Sequence, residues 1–420
     1  MARIDYIPAF NRYPPAILQA FGRIERARGE IEASGILPAQ EEILRKDALV
    51  GSIHYSNVIE GNELGRLEAL RALEHDLPAD DKAKLELINY VAALDFIDEA
   101  DRRGEIHYSP EFLKRLHAVL TRGLGREETR FNPHHEGEWR DGVVIVGDAL
   151  ATYHVAPDPG DVPGLMEARL GWLERRRESS DFPVPILAGV GHFEVAEVHP
   201  FADYNGRTAR LLVTAILRRE GFLEKPLFSP ERYYAEDKDA YFGALRAIKT
   251  SRHLDEWLTY FTEGLAAEFE RVAAKVRELN SLTRELPLPL ELSAAQERGI
   301  AALTAEGRRD LTIAEYVELS GVSVRTASRE LNDLTRAGVL RARGSTRNRR
   351  FVLAVATDGS RGGRPRTWSD ERITRELSDL VRHLGRRPTH RDFEAAGQLP
   401  LYAAIARAGG LERWFDELGM

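Results

Sequence analysis

Most of the side chains in this chain that could do chemistry sit in one short run. Residues 199–210 read His-Pro-Phe-Ala-Asp-Tyr-Asn-Gly-Arg-Thr-Ala-Arg. His199 can accept a proton, Asp203 supplies a carboxylate, Asn205-Gly206 makes a tight turn, and Arg207 and Arg210 bring two guanidinium groups one helical turn apart. An apolar run, Leu211-Leu212-Val213 and then Ala215-Ile216-Leu217, follows at once, so the turn reads as the start of a buried helix. Backbone N–H groups at such a start attract phosphate oxygens. Two arginines at that spacing can grip a polyphosphate, because guanidinium pairs bidentately with phosphate. A single carboxylate suits Mg²⁺, which takes one or two carboxylates plus substrate phosphates. The plainer alternative is a His-Pro turn followed by a surface ion pair. Five roles in one order at one turn favour the nucleotide-phosphate site.

Composition sets the frame. A chain of 420 residues predicts two to four domains, and 43% apolar with 30% charged residues fits a globular protein with a substantial core. There is no run of 18 apolar residues, so no membrane span or membrane partner is expected. The first residues, Met-Ala-Arg-Ile-Asp-Tyr-Ile-Pro, lack a basic segment followed by an apolar one, so no signal peptide is expected and the cytoplasm is the expected compartment. Zero cysteines exclude disulfides, thiolate catalysis and cysteine-ligated zinc. The net charge of -8 conceals an asymmetry: residues 341–366 hold eight arginines and one acid, Asp358. Such a block is either a nucleic-acid contact or a solvated linker.

The elements that must position the run are mostly helices. Spacings such as Leu44-Ala48 and Leu85-Ile88-Val91-Leu94 predict helices through about residue 100, and more follow over 109–280. One strand-like patch interrupts them, Val143-Val144-Ile145-Val146-Gly147, resuming at Ala151-Thr152-Tyr153-His154-Val155; the pair reads as a hairpin. Pro287 and Pro289 mark a boundary near 280–292, and the Gly/Arg/Pro stretch 359–365 marks a second. His192 lies seven residues before His199, which allows a metal pair on one helix face. No third ligand has matching spacing, so His192 is expected to be a packing residue. Upstream, Ser56 and Glu60 are four apart in Ser-Asn-Val-Ile-Glu-Gly-Asn, on one helix face, with Gly61 placed to end the helix.

The 199–210 run resembles the signature of the Fic family, His-Pro-Phe-x-Asp/Glu-Gly-Asn-Gly-Arg-x-x-Arg, departing from it only at Tyr204, where the family usually has Gly. The hairpin resembles the family's flap over the active site, which aligns a target segment by strand addition. Ser56 to Gly61 resembles the family's inhibitory motif, Ser/Thr-x-x-x-Glu-Gly/Asn, whose Glu pairs with the second signature Arg and blocks the γ-phosphate. These three features occur in family order over roughly residues 50–260.

The resemblance implies a mainly α fold, a Fic-type helical bundle with a β-hairpin flap, and transfer of AMP from ATP to a Ser, Thr or Tyr hydroxyl of a target protein, releasing pyrophosphate. His199 would be the general base and Asp203 the Mg²⁺ ligand. Val144, Ile145, Val146 and Gly147 of the flap would line the ATP site. So would Asp203, Tyr204, Asn205, Gly206, Arg207, Thr208, Ala209 and Arg210, together with the aromatic pair Tyr241 and Phe242. Ser56 and Glu60 would be the inhibitory pair. Gly permits backbone conformations that a side chain penalises. Tyr204 would therefore tilt the turn's amides, lowering activity or changing the preferred nucleotide, or point outward and leave them in place.

The C-terminal third follows a separate pattern. A helix ending at Leu319, a turn at Ser320-Gly321-Val322, and a second helix capped by Ser323 lead to strands near Val339-Leu340 and Phe351-Leu353. This resembles a winged helix-turn-helix. That resemblance implies double-stranded DNA as a partner, contacted by Ser323, Arg325, Thr326 and Arg329 at base edges and by Arg343 and Arg347 of the wing at phosphates. A winged helix used only for protein contacts is the other reading. Residues 367–420 predict a small helical module, either a cap or DNA-associated. The expected domains are thus 1–100 with the inhibitory helix, 101–280 the Fic core, 290–356 the winged helix-turn-helix, and 367–420. A second copy of the chain stays open as a partner. An alternative function is a DNA-binding transcriptional regulator whose core binds nucleotide without transferring it.

Overall fold

A helix that is apolar around nearly its whole circumference has to lie at the centre of a fold. Here that helix is α7 (Val184–Val198), buried from Pro185 to Val195. The computed structural model describes residues 13–124, 136–147, 152–179, 182–222, 227–251, 253–284, 286, 292–308, 310–344 and 349–354, with scattered positions between 373 and 417. Ala151, Pro287, Pro289, Arg347 and the 359–365 stretch lie outside them.

α8 (Asn205–Arg219) runs along α7, and α11 (Asp255–Arg284) closes its other side. Two glycines allow the approach. A Cβ on Gly191 would stand 2.6 Å from Ile216 Cδ1, and one on Gly189 would stand 2.8 Å from Leu258 Cδ2. α1 (Pro15–Glu32) packs along α11, where Arg23 pairs with Glu263 and Glu270. α4 (Lys82–Arg102) and α5 (Pro110–Leu120) pack on each other and on α8, with Asp81 and Ser109 capping their first turns. α6 (Val162–Ser179) covers α7. The fold is mainly α, as expected.

α2 (Pro38–Ile59) spans two regions. Its far end stops at Glu60, where Gly61 adopts φ +90°. Its start rests on α12 (Ala294–Thr304). There Gln40, fully buried, accepts from the Leu37 N–H at 2.9 Å and donates to Thr304 Oγ1 at 2.8 Å and Thr283 Oγ1 at 3.2 Å. α3 (Arg66–Leu73) follows α2, and α9 (Glu231–Glu236) packs beside it, with α10 (Lys238–Ser251) next in the chain.

The hairpin expected before the signature is present as β1 (Ile145–Gly147) and β2 (Thr152–Val155), antiparallel, with Ile145 opposite Val155 and a register shift at Val146/Gly147. α13 (Ile313–Ser320) starts at a Thr312/Glu315 capping box, and α14 (Val324–Arg336) is capped by Ser323. β3 (Leu340–Arg343) and β4 (Arg350–Leu353) form an antiparallel ribbon that shares a core with α12, α13 and α14 around Tyr316, Leu331 and Phe351.

The chain divides into two compact units, 1–355 and 356–420. Residues 292–354 fall within the first unit, where they have a core of their own. In the second unit Ile373, Leu377, Phe393, Leu401, Ile405, Trp414 and Phe415 share a small core. Among the described residues no helix is long and apolar enough to cross a membrane.

Candidate functional site

The loop between α7 and α8 is held at both ends by left-handed residues, His199 at φ 50° and Tyr204 at φ 61°. For an L-residue this conformation costs roughly 1–2 kcal/mol, so neighbours must hold it. The Asn205 side chain does part of this, accepting from the Phe201 N–H and donating to the Phe201 carbonyl, both at 2.9 Å. Phe201 is stacked on His117, ring centroids 3.6 Å apart. His117 Nδ1 accepts from the Gly137 N–H, which puts its proton on Nε2, 3.2 Å from the Asp203 carbonyl. His199 Nδ1 faces the Ala196 carbonyl at 3.3 Å. A carbonyl only accepts, so Nδ1 carries a proton, and in the neutral ring Nε2 is then the accepting nitrogen.

The start of α8 is the anion-binding end. Among the described residues no protein acceptor reaches the N–H groups of Asn205, Gly206 or Arg207. The Glu60 carboxylate stands there instead, so close that a Cβ on Gly206 would collide with Oε1. Arg210, almost wholly buried, donates from Nη2 to Glu60 Oε1 at 2.7 Å, from Nε to Ser56 Oγ at 2.8 Å, and from Nη2 to the Ser56 carbonyl at 3.0 Å. Burial alone would raise the Glu60 carboxyl, but the Arg210 and Arg207 charges outweigh it and hold it below its usual value. Burial likewise opposes the Arg210 charge, and the Glu60 carboxylate reverses that. Ser56, Glu60 and Arg210 thus come together, the contact that the family resemblance implies.

Arg207 turns toward α4. Its Nη1 lies 3.2 Å from Glu86 Oε2 and 3.2 Å from Asn57 Oδ1, and its guanidinium sits 3.9 Å above the Tyr204 ring. Its Nε is buried without a hydrogen-bond partner. Tyr204 settles the question left by the sequence: its side chain points inward, is buried, and donates to Glu86 Oε1 at 2.9 Å.

Asp203 accepts from the Tyr204 N–H at 2.6 Å and stays partly open to solvent. Among the described residues no three metal-type ligands cluster. A magnesium that arrives with substrate phosphates would need one or two carboxylates from the protein, and Asp203 would be the one this loop supplies.

The hairpin is tied to this loop by Arg140. Its backbone N–H donates to the Pro200 carbonyl, and its guanidinium donates to the carbonyls of His199 (2.7 Å), Gly142 (2.8 Å) and Pro157 (2.6 Å). Four backbone acceptors, one on each side of the hairpin and two at Val198 and His199, share a single buried cation.

Residues 107–217, from the segment before α5 to the end of this apolar helix, match the Fic/DOC family. The chain carries a Fic domain. Proteins named protein adenylyltransferase Fic are similar to it: that of Culex quinquefasciatus is 30% identical over 207 residues, covering 48% of this chain and 38% of the relative. That of Drosophila grimshawi is 31% identical over 273 residues, covering 61% and 54%. The chain thus spans about half or less of the length of the curated relatives it matches. Among solved structures, a Fic family protein from Desulfovibrio desulfuricans superposes with a TM-score of 0.56 at 21% identity, covering 83% of this chain and 98% of the other. Fic-1 (residues 134–508) from C. elegans gives 0.51 at 21% identity, covering 62% and 73%. At these identities the structures speak to fold.

Within the Fic domain, His199, Asp203 and the start of α8 come together. Thr208 and Ala209 are buried in α8, and the Thr208 hydroxyl donates to the Tyr204 carbonyl. Val144 is part-buried and Ile145 exposed at the base of the hairpin; the side chains of Val146 and Gly147 lie outside the described positions. The aromatic pair separates. Tyr241 is buried under Arg210, its hydroxyl 3.5 Å from Nη1 and 2.9 Å from His192 Nε2, whereas Phe242 is open to solvent. Burial pushes His192 down to about 3, so it is neutral and packs as expected. In the C-terminal part, Ser323, Arg325 and Arg329 are exposed and Thr326 half-buried on the first turns of α14, with Arg343 exposed on β3.

Sequence reasoning missed Arg140, Glu86, Asn57 and His117. Asn57 stood inside the Ser56–Gly61 motif and was open to notice. The other three carried no local signal.

Proposed function

We propose that the Fic domain transfers AMP from ATP to a hydroxyl side chain of a target protein and that Glu60 holds it in check. The observation that carries this reading is the start of α8: open N–H groups, an Arg207 Nε with no acceptor and a buried Arg210, all around a spot that the chain's own carboxylate fills. Such a cradle suits a polyphosphate. The relatives named protein adenylyltransferase support the choice of reaction.

In the transfer, the target oxygen bonds to the α-phosphorus as the bond to pyrophosphate breaks, and the hydroxyl proton passes to His199 Nε2. Arg207 and the amides of Asn205 and Gly206 stabilise charge on the phosphates. Arg210 seats the γ-phosphate once Glu60 has left. Asp203 would hold a magnesium arriving with the phosphates, whose charge the metal would neutralise. The hairpin aligns the target strand, with Ile145 and Val155 exposed on its edge.

A second activity is favoured by a separate observation. Arg325, Arg329, Arg341 and Arg343 carry no ion pair among the described residues, on a chain of net charge -8. The domain of α12, α13, α14 and the β3–β4 ribbon then reads as a winged helix-turn-helix for double-stranded DNA, α14 in the groove and the ribbon on phosphate. A regulator that binds nucleotide without transfer differs from the enzyme in one result. Titration of Glu60→Gly protein with MgATP should show tighter binding than wild type in either case, and only the enzyme yields a covalent product. Equal, unmeasurable binding by both proteins would refute the nucleotide site.

A further inference from the structure

In the signature, Tyr204 occupies the one position that departs from the family pattern, and it does so in a left-handed conformation that favours glycine. Its side chain is not left idle by that exchange. The hydroxyl donates to Glu86 Oε1 at 2.9 Å, and the ring lies under the Arg207 guanidinium at 3.9 Å, within the range of a cation–π contact.

The other oxygen of Glu86 faces two donors, Arg207 Nη1 at 3.2 Å and Asn62 Nδ2 at 2.9 Å. Asn62 is held in turn by the Ala83 carbonyl and the Leu64 N–H. Asn57 gives its amide N–H to the Ile53 carbonyl at 2.7 Å, which leaves its oxygen for Arg207 Nη1. The guanidinium is therefore fixed from below by a ring and at one nitrogen by two acceptors. Its Nε, by contrast, is buried and has no acceptor. A guanidinium offers a second bidentate edge through Nε, and that edge has no protein acceptor among the described residues.

We infer that Tyr204 and Glu86 are positioning residues that seat Arg207, leaving its Nε edge to a phosphate of the nucleotide. The inference rests on the nucleotide reading of the site. It makes Tyr204 a replacement for the missing glycine's role: the backbone keeps the left-handed turn, and the added side chain makes Arg207 rigid. Rigid placement of a cation before the ligand arrives lowers the ordering cost of binding. Neither residue touches the reacting atoms.

The test measures MgATP affinity by calorimetry on full-length protein in the Glu60→Gly background, with the transfer KM and kcat alongside. Tyr204→Gly removes ring and hydroxyl and should weaken MgATP about tenfold or more, raising KM more than it lowers kcat. Tyr204→Phe keeps the ring under Arg207 and should recover most of that loss. In a double-mutant cycle, Tyr204→Gly should cost little further once Arg207→Ala is present, because its effect runs through that side chain. Parent-like MgATP affinity in Tyr204→Gly, or a loss fully additive with Arg207→Ala, would overturn the inference alone. Failure of the Glu60→Gly parent to bind MgATP would overturn the nucleotide reading and this inference with it. If Tyr204→Gly does not fold, Glu86→Gln decides the matter: it should bind MgATP more weakly than parent, and parent-like affinity would refute the seat.

Discussion

Arg210 and Glu60 meet at 2.7 Å, but they are not equally placed: the Arg210 side chain is 1% exposed and that of Glu60 is 30% exposed. A buried cation needs an anion beside it, since an unpaired buried charge is strongly unfavourable. It does not need that particular anion. A γ-phosphate can take the carboxylate's place while Arg210 stays where Ser56 holds it. On the proposed reading, the asymmetry makes Glu60 the member that would leave.

The pH dependence of this contact follows from its charges. A carboxylate whose folded pKa is depressed contributes stability above its unfolded value, about 4.3, and loses it as pH falls through the folded value. Glu60 is such a group. Its contact with Arg210 is at full strength between about pH 6 and pH 9, so the ratio of transfer by Glu60→Gly to wild type should be flat there. A ratio that collapses toward one on the acid side of that range would show that something other than this pair sets the restraint.

His199→Ala, made in the Glu60→Gly background, should lower transfer by about 10²–10⁴, the usual share of a general base. MgATP affinity should stay within about threefold, because the phosphate contacts are elsewhere, a change of under ~1 kcal/mol. Stopped-flow binding and intact mass measure the two separately. Equal transfer with and without His199 would remove it from the chemistry.

Gln40→Ala should destabilise the protein by about 1–3 kcal/mol, because it strips partners from the Leu37 N–H and from two threonine hydroxyls in a buried seam between α2 and α12. The urea midpoint should fall with its slope unchanged. An unchanged midpoint would mean that the seam contributes little to holding α2.

How far the sequence reached can be read from particular residues. The cap at Ser323 announces its helix, because a capping side chain satisfies N–H groups two or three residues away and so leaves a local trace. The meeting of Glu60 with Arg210 was legible because both belong to motifs. Arg140 was not: a lone arginine before a hairpin says nothing about four carbonyls contributed by positions 142, 157, 198 and 199. Glu86 looked like one more charge on an amphipathic helix. Its partners, Asn62, Tyr204 and Arg207, come from two other segments, and only packing brings them together. The direction of Tyr204 was undecidable for the same reason.

If α14 and the ribbon contact DNA, affinity should fall steeply with salt, since each phosphate neutralised releases counterions. Replacing Arg325 and Arg329 should mainly cost discrimination between sequences, about 1–3 kcal/mol per good base contact. Replacing Arg343 should weaken all sequences alike and flatten the salt slope. His199→Ala should leave DNA affinity unchanged. A chain cut after Asn280 that bound DNA as well as the whole protein would end this assignment.

Whether Glu60 occupies the place of a nucleotide phosphate in a working transferase can be read by intact-mass spectrometry. Full-length Glu60→Gly protein incubated with ATP and Mg²⁺ should gain the mass of AMP on itself or on a supplied target, with wild type slower by roughly tenfold or more, the factor for about 1.4 kcal/mol. Two equally silent proteins, with MgATP binding measurable in both, would contradict it.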